Sequence, residues 1–321
     1  MTKRVLVTGA AGFIGSNVMN QLNQRYSLIG VDNMLNGCNK FLTQDSSDRL
    51  FHNDFSNEKI LNYIRNGNCD AIVHLAAIPR VSYSVHYPLE THESNVNKTL
   101  QLLEAAAKGK VKRFIFASSS SVYGGALVRP TPEYAPTHPE SPYALQKLTI
   151  EGYARLYSKF YGLDTVSLRF FNVFGPNQLG SSAYACAIAS WLTAIKRGQS
   201  LRSDGDGKQS RDLCYVDNVV SAIQLAIDCQ NDLNGEAINI ACNKHTSNNE
   251  ILKNLQSRFK NIDVITSPER EGDVKHTLAY INKAKELLGY EPIVHFWDGL
   301  DRTIEWYDQN WETYKDIKLS I

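Results

Sequence analysis

A strand that passes at once into a glycine-rich turn places the tightest constraint on the fold of this chain. Residues 5–8 are apolar and β-branched, and Gly9, Gly12 and Gly15 follow without a gap before an amphipathic helical pattern. In such a turn the first glycine permits the tight bend, the second lets the backbone approach a diphosphate, and the third lets helix and strand pack closely. Free N–H groups and the helix dipole favour an anion at the helix start. The motif therefore predicts a dinucleotide site that includes Gly9, Gly12, Phe13, Ile14 and Gly15.

The alternation of strand and helix continues through the N-terminal half. Strand patterns occur at 27–31, 50–54, 70–77, 111–117 and 164–170, and the longest helical patterns at about 88–108 and 142–161. This order predicts an α/β fold with a parallel, doubly wound sheet, whose ligands bind at the carboxyl ends of the strands. Beyond residue 172 the alternation weakens, which indicates a smaller α/β lobe over that edge. We expect a dinucleotide-binding domain at 1–172 and, at 173–321, mainly a substrate lobe with some chain returning to the sheet.

Polar and small residues stand at the ends of the predicted strands, where a dinucleotide would lie. Asp32 ends the second strand, where a carboxylate can accept hydrogen bonds from both hydroxyls of an adenosine ribose and repels a 2′-phosphate. We therefore expect NAD rather than NADP. Asp54 ends the third strand beside the expected adenine, whereas His74 is expected to be a packed core histidine. Further residues expected at the cofactor are Asn33, Phe55, Leu75, Ala76, Ala77, Asn95 and Phe170.

The start of the helix at 142–161 supplies a candidate catalytic pair. Ser141 is a good N-cap and Pro142 suits the first turn, so Tyr143 and Lys147 lie one turn apart on one face. An ammonium beside a phenol favours the phenolate, so Lys147 is expected to lower the pKa of Tyr143. Bringing that pKa from ~10 to near neutrality requires ~4 kcal/mol, so a second cation such as an oxidised nicotinamide is also expected. Such a base could take a proton from a sugar hydroxyl while hydride leaves the same carbon.

The composition argues against several classes of function. Charged residues make up 21% of the chain and the formal net charge is +1, so neither nucleic acid nor an anionic membrane is expected as a partner. No apolar run approaches the ~20 residues of a membrane span, and we expect no signal peptide because the sequence enters its first strand directly. The six cysteines form no Cys-x-x-Cys pair, and the eight histidines show no metal-ligand spacing. We therefore expect a cytoplasmic protein with reduced, mostly buried thiols and no metal site.

Taken together, these motifs resemble those of the extended short-chain dehydrogenase/reductase family. The resemblance rests on the glycine turn, Asp32, the serines before Tyr123 and the Tyr143-x-x-x-Lys147 pair. It continues through 169–175, 205–207, 210–212 and 270–273, and so covers essentially the whole chain. Within the family the chain resembles nucleotide-sugar 4-epimerases, particularly bacterial UDP-N-acetylglucosamine 4-epimerases. The resemblance implies a Rossmann-type fold and a tightly kept NAD.

The resemblance also implies roles for the residues around the sugar. Tyr143 matches the acid/base at sugar O4, Lys147 matches the lysine on the nicotinamide ribose, and Ser119 matches the catalytic Ser/Thr that shares the O4 hydrogen bond. Family 4,6-dehydratases carry an Asp-Glu pair directly after that position, and related decarboxylases keep the Glu. Here Ser120 and Ser121 stand there instead, so dehydration and decarboxylation are disfavoured. The reaction that remains is oxidation at C4, followed by turning of the 4-keto sugar and return of the hydride to its other face.

The nucleotide half of the substrate is expected in the second lobe. By resemblance, Arg211 and Arg270 match phosphate ligands, Asp273 matches the ligand of the uridine ribose, and Asn172 matches a residue near the sugar and diphosphate. In 4-epimerases restricted to UDP-glucose and UDP-galactose, the position that matches Thr277 resembles a bulky tyrosine. By this resemblance, the smaller threonine is expected to leave room for an acetamido group. The expected substrate-binding residues are Ser119, Ser120, Ser121, Tyr143, Asn172, Tyr184, Arg211, Arg270, Asp273 and Thr277.

Alternatives stay open at this point. The sequence also fits a 4-epimerase of UDP-glucose, of UDP-glucuronate or of the uronate of UDP-N-acetylglucosamine. A sensor or interaction protein that binds NAD on the same fold is disfavoured, because it would typically have lost Tyr143, Lys147 or the serine. Family members commonly form homodimers with C2 symmetry, so a homodimer through the helices near 88–108 and 143–161 is expected.

Overall fold

The segments predicted as strands form one parallel sheet. The computed structural model describes residues 2–180, 186–260, 262–269 and 274–317. The strands are β1 (Arg4–Thr8), β2 (Ser27–Asp32), β3 (Leu50–His52), β4 (Ala71–His74), β5 (Arg113–Ser119), β6 (Thr165–Phe170), β7 (Val173–Phe174), β8 (Leu201–Asp204), β9 (Ser210–Asp212), β10 (Cys214–Tyr215), β11 (Glu236–Ile240), β12 (His245–Ser247) and β13 (Val264–Ser267). Within these residues a seven-stranded sheet has the order β3-β2-β1-β4-β5-β6-β11. This order is that of a Rossmann-type fold, which confirms the predicted fold class.

Helices cover both faces of the sheet. They are α1 (Phe13–Leu22), α2 (Gln44–Ser47), α3 (Glu58–Arg65), α4 (Val81–His86), α5 (Pro88–His92), α6 (Lys98–Lys108), α7 (Pro142–Tyr161), α8 (Ala187–Lys196), α9 (Val216–Asp228), α10 (Asn248–Arg258), α11 (Asn282–Leu288) and α12 (Phe296–Tyr314). Because successive side chains of a strand point to opposite faces, Val5 and Val7 of β1 pack in one core with Val18 and Val219, whereas Leu6 packs in the other with Leu102. The sheet is therefore buried on both sides.

The second half of the chain contributes one strand to the main sheet and also forms short strand pairs outside it. Strand β11 pairs in parallel with β6 and extends the main sheet. The short pairs β7–β10, β9–β12 and β8–β13 lie outside it. A separate apolar cluster around Trp191, Tyr215 and Phe296 joins α8, α9 and α12. The boundary near residue 172 stays a prediction.

Two details differ from the sequence-based expectations. The segment at 88–108 is helical, but a π-helical turn at Glu93–Asn97 interrupts it between α5 and α6. The thiols were expected to be mostly buried, whereas only Cys69 and Cys214 are buried and the other four cysteines are partly exposed.

Candidate active site

The glycine turn joins the carboxyl end of β1 to α1. Gly9 has φ +70°, and a Cβ atom there would lie 2.8 Å from the amide nitrogen of Ala76. A Cβ atom on Gly15 would lie 1.9 Å from the carbonyl oxygen of Gly9, so only glycine lets α1 pack this closely on the turn. The N-cap residue Gly12 offers no side-chain hydrogen bond to the helix start. Phe13, Ile14 and Gly15 form the first turn of α1, whose N–H groups are therefore available to an anion.

Asp32 lies at the end of β2, beside the glycine turn. One carboxylate oxygen accepts a hydrogen bond from the Ala11 amide (2.9 Å) and the other accepts one from the Met34 amide (2.8 Å). Burial raises the pKa of Asp32, and these two hydrogen bonds oppose the rise. Because each carboxylate oxygen has a second lone pair, both oxygens can still accept a ribose hydroxyl. The glycine turn and Asp32 together fit the diphosphate and adenosine ribose of NAD.

Asp54 follows β3 on the same edge of the sheet. It forms an ion pair with Lys98 (2.8 Å), and the Asn33 amide lies 3.4 Å from its carboxylate. Burial works against its ionisation, but the hydrogen bonds from Lys98 and Ser56 outweigh it and hold the pKa of Asp54 below its usual range. Phe55, the next residue, is buried with its ring 4.9 Å from that of His74.

His74 is a buried core residue, as expected. Its Nδ1 lies 2.7 Å from Thr8 Oγ1 and its Nε2 lies 2.9 Å from Thr99 Oγ1. Thr99 donates its own proton to the Asn95 carbonyl (2.9 Å), so its oxygen accepts from the Nε2–H of His74. Burial lowers the pKa of His74 to about 3, so the ring is neutral. It therefore has a structural role at the end of β4 and is not a general base.

The loop after β4 passes close to the glycine turn. Leu75, Ala76 and Ala77 form this loop, and the Ala76 amide donates to Thr8 Oγ1 (3.3 Å). Asn95 holds the next residue of the loop from both sides: its Oδ1 accepts from the Ile78 amide (2.8 Å) and its Nδ2 donates to the Ile78 carbonyl (3.1 Å). The same Nδ2 donates to Gln146 (2.9 Å). Asn95 thus positions the loop against α7, and its expected contact with the cofactor stays a prediction.

Tyr143 lies on α7, and neighbouring elements fix its position. The Ser141 hydroxyl caps the helix by accepting from the Ala144 amide (3.2 Å), as predicted. The Tyr143 amide donates to Ser84 Oγ on α4 (3.0 Å). The side chain is buried, and the Ser119 hydroxyl acts on its pKa. Ser119 ends β5, and its hydroxyl oxygen accepts from the Ser121 amide (3.1 Å).

Lys147 lies one turn further along the same face of α7. Its ammonium donates to the Ala117 carbonyl of β5 (2.7 Å) and lies 5.7 Å from the centre of the Tyr143 ring. Burial lowers the pKa of Lys147 to about 7, and the negative charge of Glu151 opposes this effect. The structure therefore brings Tyr143, Lys147 and Ser119 together at the carboxyl end of β5.

The expected lowering of the Tyr143 pKa by Lys147 is absent from this structure. Burial raises the pKa of Tyr143 to about 12, and the Ser119 side chain opposes the rise. The physical reason is that desolvation of a phenolate in this buried position outweighs the field of a single ammonium, which is itself destabilised by burial.

The serines after β5 form a short 3-10 turn at Ser120–Tyr123. The hydroxyl of Ser121 is buried and has no hydrogen-bond partner among the described residues. Phe170 is buried at the end of β6 and pairs in register with Ser119 of β5. Ser120, Ser121 and Phe170 thus surround the end of the strand that carries Ser119.

Asn172 and Thr277 come together from distant parts of the chain. The Asn172 amide donates to Thr277 Oγ1 (3.0 Å) and lies 3.4 Å from the Asp212 carbonyl oxygen. Asn172 has φ +31°, a strained value for a residue other than glycine, and such values often occur at functional sites. Arg211 is next to Asp212, and its guanidinium donates to the Lys275 carbonyl (3.0 Å).

Three predicted site residues, Tyr184, Arg270 and Asp273, lie outside the described residues. Within the described ranges no helix is long and apolar enough to cross a membrane. The same residues include no group of three or more His, Cys, Asp or Glu side chains that could hold a metal ion.

Several residues of the site were not identified from the sequence. Ser84 holds the Tyr143 amide, and Gln146 connects Asn95 to Thr91. Glu151 and Arg169 form a buried ion pair (2.6 Å) behind Lys147. The only sequence signal for Glu151 is its spacing, since it follows Lys147 by four residues and so lies on the same helix face.

Comparison with known proteins identifies the family. The model of the NAD dependent epimerase/dehydratase family matches residues 5–241. The structure is similar to UDP-N-acetylglucosamine 4-epimerase from Methanobrevibacter ruminantium in complex with UDP-N-acetylmuramic acid, with a TM-score of 0.91, 34% identity and coverage of 96% of this chain and 99% of that chain. It is also similar to Thermotoga maritima UDP-glucose 4-epimerase with UDP-glucose, with a TM-score of 0.89, 35% identity and coverage of 96% and 99%.

A further relative is UDP-glucuronate 4-epimerase from Thermodesulfobacterium geofontis, which is 32% identical over 326 residues, covering 98% of this chain and 99% of the relative. The match to the family model covers more than half of the chain, and these similarities extend over nearly all of it. The family predicted from the motifs is therefore confirmed: the chain belongs to the NAD dependent epimerase/dehydratase family, and its cofactor is NAD.

Proposed function

We propose that the protein is a UDP-N-acetylhexosamine 4-epimerase, which interconverts UDP-N-acetylglucosamine and UDP-N-acetylgalactosamine through a transient 4-keto sugar. The coarser assignment, an NAD-dependent nucleotide-sugar 4-epimerase, is supported by the family and by relatives that act on UDP-glucose and UDP-glucuronate. The proposal goes further in naming an N-acetylated sugar as the substrate. The observation that carries it is the contact between Thr277 and Asn172 in the predicted sugar site.

Tyr143 is the proposed acid/base at O4 of the sugar. Bound NAD supplies an acceptor that takes a hydride from C4 and returns it. Tyr143 takes the O4 proton as the hydride leaves, and Ser119 holds the same oxygen through its hydroxyl. Because burial raises the Tyr143 pKa to about 12, forming the phenolate at pH 7 requires about 7 kcal/mol, at ~1.36 kcal/mol per unit. The ammonium of Lys147 and the charge of the oxidised cofactor are the two cations proposed to offset this cost.

The serine turn favours epimerisation over elimination. Removing water from C5 and C6, or a carboxyl group from C6, would require an additional carboxylic acid or carboxylate near the sugar. Ser120 and Ser121 are the residues directly after Ser119, and neither can act as a carboxylate acid or base. The proposed reaction therefore ends with return of the hydride to the other face of the 4-keto sugar.

Thr277 is the proposed determinant of sugar size. Its hydroxyl accepts hydrogen bonds from the Asn172 amide (3.0 Å) and the Asp212 amide (3.2 Å), which orients it within the wall. A tyrosine at this position would add most of an aromatic ring, and a close-packed wall could not relieve the clash with an acetamido group. A structural neighbour that is a UDP-N-acetylglucosamine 4-epimerase also supports the proposal.

The test is NMR analysis of product formed from UDP-N-acetylglucosamine, UDP-glucose and UDP-glucuronate, with no cofactor added. We expect epimerisation of the acetylated sugar and weaker activity on UDP-glucose. Thr277→Tyr should remove activity on the acetylated sugar and spare UDP-glucose, while Thr277→Ser, which keeps a small hydroxyl, should behave like the parent. Full activity of Thr277→Tyr on UDP-N-acetylglucosamine, or conversion of UDP-glucuronate alone, would contradict the proposed substrate.

A further inference from the structure

A third functional side chain lies on the face of α7 that carries Tyr143 and Lys147. Glu151 follows Lys147 by one helical turn and is only 7% exposed. A carboxylate this deeply buried is costly unless it is paired and fully hydrogen-bonded. The partners of Glu151 therefore indicate why it is tolerated beside the proposed catalytic pair.

Three consecutive residues of β5 contact three residues that follow one another at one-turn spacing on α7. The Ser119 side chain interacts with that of Tyr143, and the Ala117 carbonyl accepts from Lys147 (2.7 Å). Between them in sequence, Ser118 donates through its hydroxyl to Glu151 (2.5 Å). Glu151 thus supplies the third connection between the helix and the strand end from which Ser119 projects.

Arg169 of β6 fixes the third connection. Its Nε and Nη2 donate to the two carboxylate oxygens of Glu151 at 2.9 and 2.6 Å, which is the bidentate geometry of a strong pair. Its remaining Nη1 donates to the Tyr123 hydroxyl (2.8 Å). Arg169 is opposite Ser118 in the β5–β6 register, so both reach Glu151 from neighbouring strands.

We infer that Glu151, held by Arg169 and Ser118, is a positioning residue that sets both the register of α7 against β5 and the charge of Lys147. The inference rests on the proposed roles of Tyr143 and Lys147 in the reaction. Neither Glu151 nor Arg169 is proposed to touch the substrate.

The charges around Lys147 show how Glu151 and Arg169 can set the protonation of Lys147. The titratable groups that face Lys147 are Tyr143 and Glu151 from α7 and His74 from β4, with Arg169 of β6 acting through Glu151. Burial makes Tyr143 and His74 neutral, so Glu151 is the anion that favours the ammonium of Lys147. Arg169 neutralises part of that negative charge. Removing one partner or the other should therefore shift the Lys147 pKa in opposite directions.

The experiment measures the pKa of Lys147 in the NAD-loaded protein by titrating the 13Cε signal of labelled lysine, assigned with Lys147→Met. Glu151→Gln removes the anion, so the pKa of Lys147 should fall by about one unit or more. Arg169→Met leaves the carboxylate without its cation, so the Lys147 pKa should rise. Arg169→Lys keeps the positive charge but cannot form the two parallel hydrogen bonds to Glu151. It is the matched control and should leave the Lys147 pKa near the parent value.

Activity provides the second measurement. Because the contacts act on the geometry of Tyr143 and Ser119, Glu151→Gln should lower kcat on the order of tenfold or more with little change in KM. The inference fails if Glu151→Gln and Arg169→Met shift the Lys147 pKa in the same direction, or if neither shifts it. If the single variants do not fold, Glu151→Gln combined with Arg169→Met removes both charges. Because Arg169 neutralises only part of the charge of Glu151, the Lys147 pKa should still fall in the double variant, and an unchanged pKa there would overturn the inference. The pKa is measured without turnover, so failure of the proposed epimerase activity is seen separately.

Discussion

Tyr143 shows how the surroundings of one side chain restrict its chemistry. Its ring is buried between α7, α4 and the end of β5, where a phenolate loses hydration that it would keep at the surface. The phenol is therefore neutral in this structure and needs added positive charge to act as a base. Replacing the hydroxyl group alone tests its role, since the rest of the ring fills the same space.

We expect Tyr143→Phe to lower turnover by at least ~100-fold, the typical effect of removing a general acid/base. The variant should stay folded and keep its NAD, because only a hydroxyl is lost. Turnover is measured by NMR of the sugar product, and bound cofactor by mass spectrometry. Tyr153→Phe changes an exposed tyrosine of the same helix and is the matched control, expected to have no effect. Near-normal turnover of Tyr143→Phe would contradict the proposed mechanism.

Residue-scale prediction from the sequence was limited by burial and by long-range contacts. The i, i+4 spacing of Tyr143 and Lys147 follows from helix geometry and could be seen in the sequence. The direction of the Tyr143 pKa shift depends on desolvation, which no local spacing reveals. The pairing of Glu151 with Arg169 joins residues from a helix and a strand, so it could not be read from either segment alone.

At the scale of elements, a chain of hydrogen bonds through His74 ties β4 to β1 and α6. Thr8 of β1 contacts one ring nitrogen and Thr99 of α6 contacts the other. Because Thr8 also accepts from the Ala76 amide, these hydrogen bonds fix the loop after β4, which passes close to the glycine turn. The neutral ring is therefore part of what holds the cofactor edge of the sheet together.

This arrangement predicts acid sensitivity. The His74 pKa is about 3 in the folded protein and ~6.5 in the unfolded chain, so its contribution to stability is complete above pH ~6.5. As the pH falls towards 3, His74 binds a proton in the unfolded chain, whereas its buried ring in the folded protein stays neutral. The free energy of unfolding should then fall by up to about 1.4 kcal/mol per pH unit. Urea denaturation at several values between pH 5 and 7 measures this slope.

His74→Gln is the control for that slope. It removes the titrating ring, so the slope of the free energy of unfolding against pH should decrease between pH 5 and 6.5 by the equivalent of about one proton. This change in slope does not depend on how much stability the variant loses at neutral pH. An unchanged slope would show that other groups cause the pH dependence.

The helix at 88–108 marks the limit of sequence-based prediction of elements. Its apolar spacing indicated one continuous helix, and the structure confirms the helical segment. The π-helical turn at Glu93–Asn97 arises where Asn95 must bond both Ile78 and Gln146. A single added residue in a turn hardly changes the apolar periodicity, so such a feature becomes visible only once the packing partners are known.

At the scale of the whole molecule, α7 has two faces with different surroundings. One carries the buried Tyr143, Lys147 and Glu151, whereas the other exposes Leu156 (41%) and Phe160 (64%). Leu89 of α5, a helix that packs against α7, is also exposed. Exposed apolar side chains that recur along one helix face are typical of a surface that packs against a partner. This surface coincides with the helices at which a homodimer is expected by resemblance.

We therefore expect a homodimer with C2 symmetry, in which α5, α6 and α7 of one subunit pack against the same helices of its partner. Light scattering after size exclusion at micromolar concentration should give twice the mass of 36.0 kDa. Replacing both Leu156 and Phe160 with Glu should produce a folded monomer, because two carboxylates would have to be buried at the interface without partners. Ile293→Glu changes an equally exposed apolar residue before α12 and should leave the dimer intact. A monomeric parent protein would contradict the prediction, whereas dissociation by Ile293→Glu would indicate an interface on the other lobe.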